Sequence, residues 1–214
     1  MNISILITSK EHPIFPFLVE WIENNNNNQI SLVHSVENLS EGDLLFLISY
    51  SELVSKKVRN KFQKTLVIHA SDLPHGRGWS PHIWQVANGE TEVTVTLLEA
   101  EDKVDTGDIW CKMKIHIPPT ALYNEINQLI FQAEFDLMDY ALTNFLIVRP
   151  ELQDNEVKPS YWPKRSPKDS ELDISKSIND LFNLLRVCDP DRFPAYFMKD
   201  SRKYLLKIEA DDEV

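Results

Sequence analysis

Apolar residues fall in short unbroken runs through the first half of the chain and in a helical stripe beyond it. Ile3, Ile5, Leu6 and Ile7 predict an opening strand. Ile14, Phe17, Leu18, Trp21 and Ile22 then recur on one face of a 3.6-residue period, with Pro13 at the start of the helix they predict. The asparagines Asn24 to Asn28 break that pattern, because short amides compete with the backbone for hydrogen bonds, and they read as a surface loop. Residues 30–33, 43–48 and 66–68 give three more strands, with a polar segment between the last two that holds a short helix. Their lack of alternation predicts burial on both faces.

Ser80 and Pro81 offer an N-cap and a first-turn proline for a helix that Gly89 ends. Residues 93–98 and 109–117 add two strands, the second closed by Pro118 and Pro119. From Thr120, Leu122, Ile126, Leu129, Ile130, Ala133, Leu137 and Ala141 mark the longest helix. This order predicts an α/β fold, a mostly parallel Rossmann-like sheet flanked by helices. The periodicity lapses at Arg149 and Pro150, dividing the chain into a core of residues 1–150 and an extension of residues 151–214. The extension holds one helix, 174–187, and a hairpin of 196–199 with 204–208.

The 33 acidic against 22 basic residues give a net charge of −11. That balance argues against long nucleic acids, which need a concentrated basic surface. Cys111 and Cys188 stand in no metal-ligand or CxxC spacing and read as reduced thiols of a cytoplasmic protein. The amino terminus lacks the basic region of a signal peptide, and no apolar run approaches the ~20 residues that span a bilayer, so no membrane is expected. His69, His75 and His82 match no zinc-ligand spacing, and no metal is expected.

In open α/β sheets ligands bind beyond the carboxyl ends of the strands. The first strand is followed by Thr8-Ser9-Lys10-Glu11-His12, without the glycines that a dinucleotide site or a P-loop requires. The strand over 66–68 is followed by His69-Ala70-Ser71-Asp72-Leu73-Pro74-His75-Gly76-Arg77-Gly78-Trp79, a concentration of polar, basic and aromatic residues unlike the rest of the chain. The strand over 93–98 leads to a turn with Asp102, Asp105 and Asp108 around Gly107. One of these aspartates facing His69 and fixing its tautomer would make an acid/base unit suited to neutral pH; the residues alone leave open which one.

His69-Ala70-Ser71-Asp72-Leu73-Pro74, Arg77-Gly78, Pro81 and Val104-Asp105-Thr106-Gly107-Asp108 together resemble the folate-dependent formyltransferases, in order and over most of residues 43–115. The resemblance implies the formyltransferase fold and transfer of a formyl group from N10-formyltetrahydrofolate, the co-substrate. It carries catalytic roles onto His69 and Asp105, and folate binding onto the loop with Ser51, Glu52 and Val54 and onto Val104. The family's asparagine two residues before the histidine is Val67 here. Valine has no donor for the oxyanion, which motivates a non-catalytic folate or nucleotide binder as one alternative, beside a formyltetrahydrofolate hydrolase in which water replaces the amine.

The core wording and the segment Tyr161-Trp162-Pro163-Lys164-Arg165-Ser166-Pro167 look closest to the nucleotide-linked amino-sugar N-formyltransferases. That branch implies a homodimer whose extension serves dimerisation or substrate binding. It also implies a uridine-diphosphate-linked 4-amino-4,6-dideoxy sugar as acceptor, in surface-glycan biosynthesis of the pseudaminic-acid type. The acidic chain and short extension disfavour transfer RNA. Ser71, Arg77 and Trp79 are the expected acceptor-binding residues, Arg77 on phosphate, with Lys164 and Arg165 as further phosphate candidates.

Overall fold

The computed structural model describes residues 1–211. Among them are ten strands and five α-helices. In chain order these are β1 (Asn2–Leu6), α1 (Phe15–Asn24), β2 (Gln29–Val33), β3 (Gly42–Leu47), α2 (Lys56–Arg59), β4 (Phe62–His69), β5 (Arg77–Gly78), α3 (Pro81–Ala87), β6 (Glu92–Glu99), β7 (Ile109–His116), α4 (Tyr123–Asn144), β8 (Tyr161–Trp162), α5 (Ile178–Arg186), β9 (Ala195–Lys199) and β10 (Arg202–Leu206).

The main sheet has the order β2-β1-β3-β4-β6-β7. The first four strands pair in parallel, and β6 and β7 add antiparallel. Both faces of the central strands are covered. Ile3, Ile5, Leu44, Phe46 and Leu66 pack with Leu18 and Trp21 of α1 and Ile126, Ile130 and Leu137 of α4. The alternate residues Leu6, Leu45 and Leu47 pack with Leu39, Val54 and Phe62 on the opposite face. A period of two thus splits each apolar run between two cores, as burial on both faces requires. Edge strand β2 is only half-buried and departs from that expectation.

Helix α1 begins at Phe15 with Pro16 in its first turn, so Pro13 sits in the preceding turn rather than at the helix start. Ser80 occupies the N-cap position of α3 but has φ 44° and makes no capping bond. A side-chain cap needs extended backbone there, and the reversal from β5 into α3 denies it. Helix α5 is shorter than the apolar pattern suggested, because Ser177 caps it and exchanges hydrogen bonds with Asp180.

The described residues of the extension are fastened to the core at several points. β8 pairs in parallel with β5, and Glu151 bridges Ile109. Leu172, Leu181, Leu185, Cys188 and Ala195 form a small core of their own. Arg186, only 1% exposed, donates to the carbonyls of Pro118 and Ala121 and fastens α5 to the segment entering α4. Among the described residues no helix is long and apolar enough to cross a membrane.

Candidate active site

A cleft of about 570 Å³ opens at the carboxyl ends of β3 and β4. Its walls come from the segments after β1 and β3, the end of β4, the β6–β7 turn, the start of α3, one face of α4 and the extension. Ser49, Ser80 and Asp105 all line it with positive φ. Such strained backbone persists only where surrounding structure holds it, and it gathers at functional sites.

His69 ends β4, and both it and Asp105 have almost fully buried side chains. Asp105 Oδ1 lies 3.6 Å from His69 Nδ1, and Oδ2 accepts from the Gly78 amide at 2.8 Å. His69 Nε2 lies 2.8 Å from the Gly76 carbonyl. A carbonyl only accepts, so Nε2 carries the proton and Nδ1 is the nitrogen left to take one. The carbonyl of Gly76, rather than the aspartate, therefore sets the tautomer. The arrangement can hold a single extra proton on Nδ1, stabilised by the adjacent carboxylate.

Gln153 fixes the turn that carries Asp105. Its amide donates to the carbonyls of Asp105 and Gly107 at 2.8 and 2.9 Å. Gly107 itself approaches the β6 backbone so closely that a Cβ would overlap the Glu99 carbonyl. Ser160 completes the link between extension and site, its Oγ accepting from the Gly76 amide. Neither Gln153 nor Ser160 was legible beforehand, because each is a lone polar residue in a stretch without periodicity.

Ser51, Glu52, Val54 and Val104 all line the cleft, as does Val67. Thr8 Oγ1 accepts from the Ser51 amide and ties this loop to the end of β1. Val54, Val67, Leu98 and Val104 contribute apolar surface to the cleft. Trp79 lines the other side.

Arg77 and Ser71 are not brought into the cleft. Arg77 donates to Gln153 Oε1 at 2.7 Å and to the Tyr161 hydroxyl at 3.3 Å, so its guanidinium is turned to the extension rather than into the cleft. Ser71 is 2% exposed, enclosed behind β4 where the chain turns away from the sheet.

The cleft also carries titratable groups, His12, His82 and Glu134, to which the sequence reading gave no catalytic role. Burial, with Arg192 adding to it, lowers His12 to about 4. Burial, then His69 and His12, lowers His82 to about 4. Burial alone raises Glu134 to about 8, and its Oε2 is sealed off without a hydrogen-bond partner. All three are thus held in their uncharged forms near neutral pH.

The sequence profile described as formyl transferase matches residues 4–142. A methionyl-tRNA formyltransferase of Malacoplasma penetrans is 28% identical over 144 residues, 65% of this chain and 44% of that protein. The chain thus spans less than half the length of that curated relative. Among solved structures, a methionyl-tRNA formyltransferase from Clostridium thermocellum superposes with a TM-score of 0.83 at 19% identity, covering 100% of this chain and 95% of that one. A sugar N-formyltransferase from Shewanella gives 0.73 at 18%, covering 99% and 98%. HypX from Aquifex aeolicus in complex with tetrahydrofolic acid gives 0.73 at 20%, covering 97% of this chain and 37% of that one. At such identities these likenesses establish the fold, while the profile, which matches more than half of the chain, establishes kinship: the chain belongs to the formyl transferase family.

Proposed function

We propose that the chain transfers the formyl group of N10-formyltetrahydrofolate to the amine of a nucleotide-linked amino sugar. The observation that carries this reading is the buried His69–Asp105 pair with Nδ1 free to take a proton at the centre of a cleft. One wall of that cleft suits a pterin and the other is built partly by the extension. The folate-bound structure of HypX supports a folate donor, and the fold is shared over nearly the whole chain by a sugar N-formyltransferase and by a methionyl-tRNA formyltransferase alike. The curated relative acts by name on methionyl-tRNA. A net charge of −11 weighs against a polynucleotide acceptor.

In this mechanism the donor ring lies against Val54, Val67 and Val104, with the loop of Ser51 and Glu52 along its edge. The neutral amine attacks the formyl carbon, the new C–N bond forms and the bond to folate N10 breaks. His69 Nδ1, backed by Asp105, takes the proton released by the amine, holds it beside the developing oxyanion, and returns it to the departing N10. A formamide and tetrahydrofolate are the products.

The test is tetrahydrofolate release from N10-formyltetrahydrofolate with a panel of nucleotide-linked amino sugars, with methionyl-tRNA, and with no amine, using His69→Asn as control. Release that depends on a sugar amine and is lost in the variant is expected. Release with methionyl-tRNA alone moves the acceptor to transfer RNA, and formate produced without any amine makes the protein a hydrolase.

A further inference from the structure

Four cationic side chains, Lys103, Lys164, Arg165 and Arg192, line the cleft among acidic ones that include Glu52, Glu99, Glu101, Asp105 and Asp189. Arg192 lines it but is neutralised by Asp189 at 2.6 Å. Lys103 stands on the β6–β7 turn beside the proposed folate wall. Lys164 and Arg165, adjacent residues of the extension, line the opposite wall and form no ion pair among the described residues.

Both cations are held by aromatic faces instead. Lys164 Nζ lies 4.6 Å from the centroid of Trp79, which is 38% exposed. The Arg165 guanidinium lies 5.1 Å from the centroid of Trp84, itself stacked on Trp162. Arg165 Nη2 donates to the Asp169 carbonyl at 2.9 Å, while Nη1 is buried and has no partner. The nearby Asp169 carboxylate does not answer it, because Oδ2 accepts from the Ser166 amide and hydroxyl.

A buried guanidinium nitrogen without a hydrogen-bond partner is costly, and an anion in the cleft beside it would offset part of that cost by its charge. Indole faces steady a cation without neutralising its charge. Two cations that line one cleft without a carboxylate partner suit a group carrying more than one negative charge better than a single carboxylate.

We infer that Lys164 and Arg165 form an anion subsite in the acceptor half of the cleft and that it takes the phosphate groups of the acceptor. The inference rests on the nucleotide-linked acceptor proposed above and assigns the phosphate contact to the extension. A folate's glutamate tail also carries anionic charge, so the test separates the two sources.

The experiment is calorimetric titration of the full chain with inorganic pyrophosphate, with uridine diphosphate and with 5-formyltetrahydrofolate, repeated on Lys164→Gln and Arg165→Gln. Lys164 is exposed, so its variant folds independently of the result, and Arg165→Lys keeps the charge while removing the fork. Each Gln variant is expected to weaken pyrophosphate and diphosphate binding by about tenfold or more, the loss of one charge-assisted contact, with folate affinity unchanged within about twofold. Arg165→Lys should fall between. Unchanged anion affinity in both Gln variants overturns the subsite, as does a wild-type protein that binds neither anion. A loss confined to the folate reassigns the cations to the donor tail and also overturns it. Anion binding that depends on both residues, in a protein that formylates no nucleotide-linked amine, upholds the subsite while the acceptor reading falls.

Discussion

Replacing Glu134 by glutamine is expected to flatten the dependence of stability on pH. Burial holds this carboxyl near 8 instead of 4.5, so the native state keeps its proton to higher pH than the unfolded chain does. Between those values the native state binds more protons. The associated stability is therefore fully present below 4.5 and is lost as pH rises through about 8. At ~1.4 kcal/mol per pKa unit, the gap sets a ceiling of ~5 kcal/mol. Glu134 is half-buried rather than enclosed, and water reaching its rim reduces the expected loss to ~2–3 kcal/mol between about pH 5 and about pH 9. Glutamine has the same shape and does not titrate. Urea unfolding of both proteins across that range gives the difference directly, and His12 and His82 contribute equally to each and cancel. Stability profiles that stay parallel within ~0.5 kcal/mol would refute the reasoning.

Asp105→Asn removes the negative charge beside His69 Nδ1 and is expected to lower kcat at least ~100-fold with a smaller change in KM, measured by steady-state tetrahydrofolate release; turnover near wild type would take Asp105 out of proton transfer. Gly107→Ala forces its Cβ against the Glu99 carbonyl and displaces the turn carrying Asp105. A stability loss of ~2 kcal/mol or more, with kcat down at least ~10-fold, should appear in thermal melts and kinetics run together. Val67→Asn places an amide donor on the cleft wall and is expected to raise kcat by ~10-fold or more. An unchanged kcat at unchanged KM would mean that the oxyanion is held elsewhere. In the acid range, His12 and His82, held near 4 against 6.5 for a free histidine, keep fewer protons in the native state, so their stability is lost as pH falls from 6.5 toward 4. His12→Gln should shift the acid unfolding midpoint downward by circular dichroism, and an unmoved midpoint counts against a buried neutral His12.

The order of strands and helices was legible because each central strand is an unbroken apolar run and each long helix carries a stripe, and both periods follow from backbone geometry alone. His69 and the aspartate-rich turn were legible too, since strand ends in an α/β sheet are where polar, glycine and aromatic residues have no core to fill. Which partners those residues take was decided only in three dimensions. Arg77 looked like a phosphate ligand until β5 paired with β8 and set it against Gln153 and Tyr161, 76 and 84 residues away in the chain. The tautomer of His69 rests on the Gly76 carbonyl, a backbone group that no side-chain pattern reports. Glu134 reads as an ordinary polar position on α4, and only its place in the cleft wall seals one of its carboxyl oxygens away from a partner. Local periodicity encodes which face of an element is buried. Hydrogen-bond partners, desolvation and the protonation states that follow from them depend on segments distant in sequence, and those the tertiary structure alone brings together.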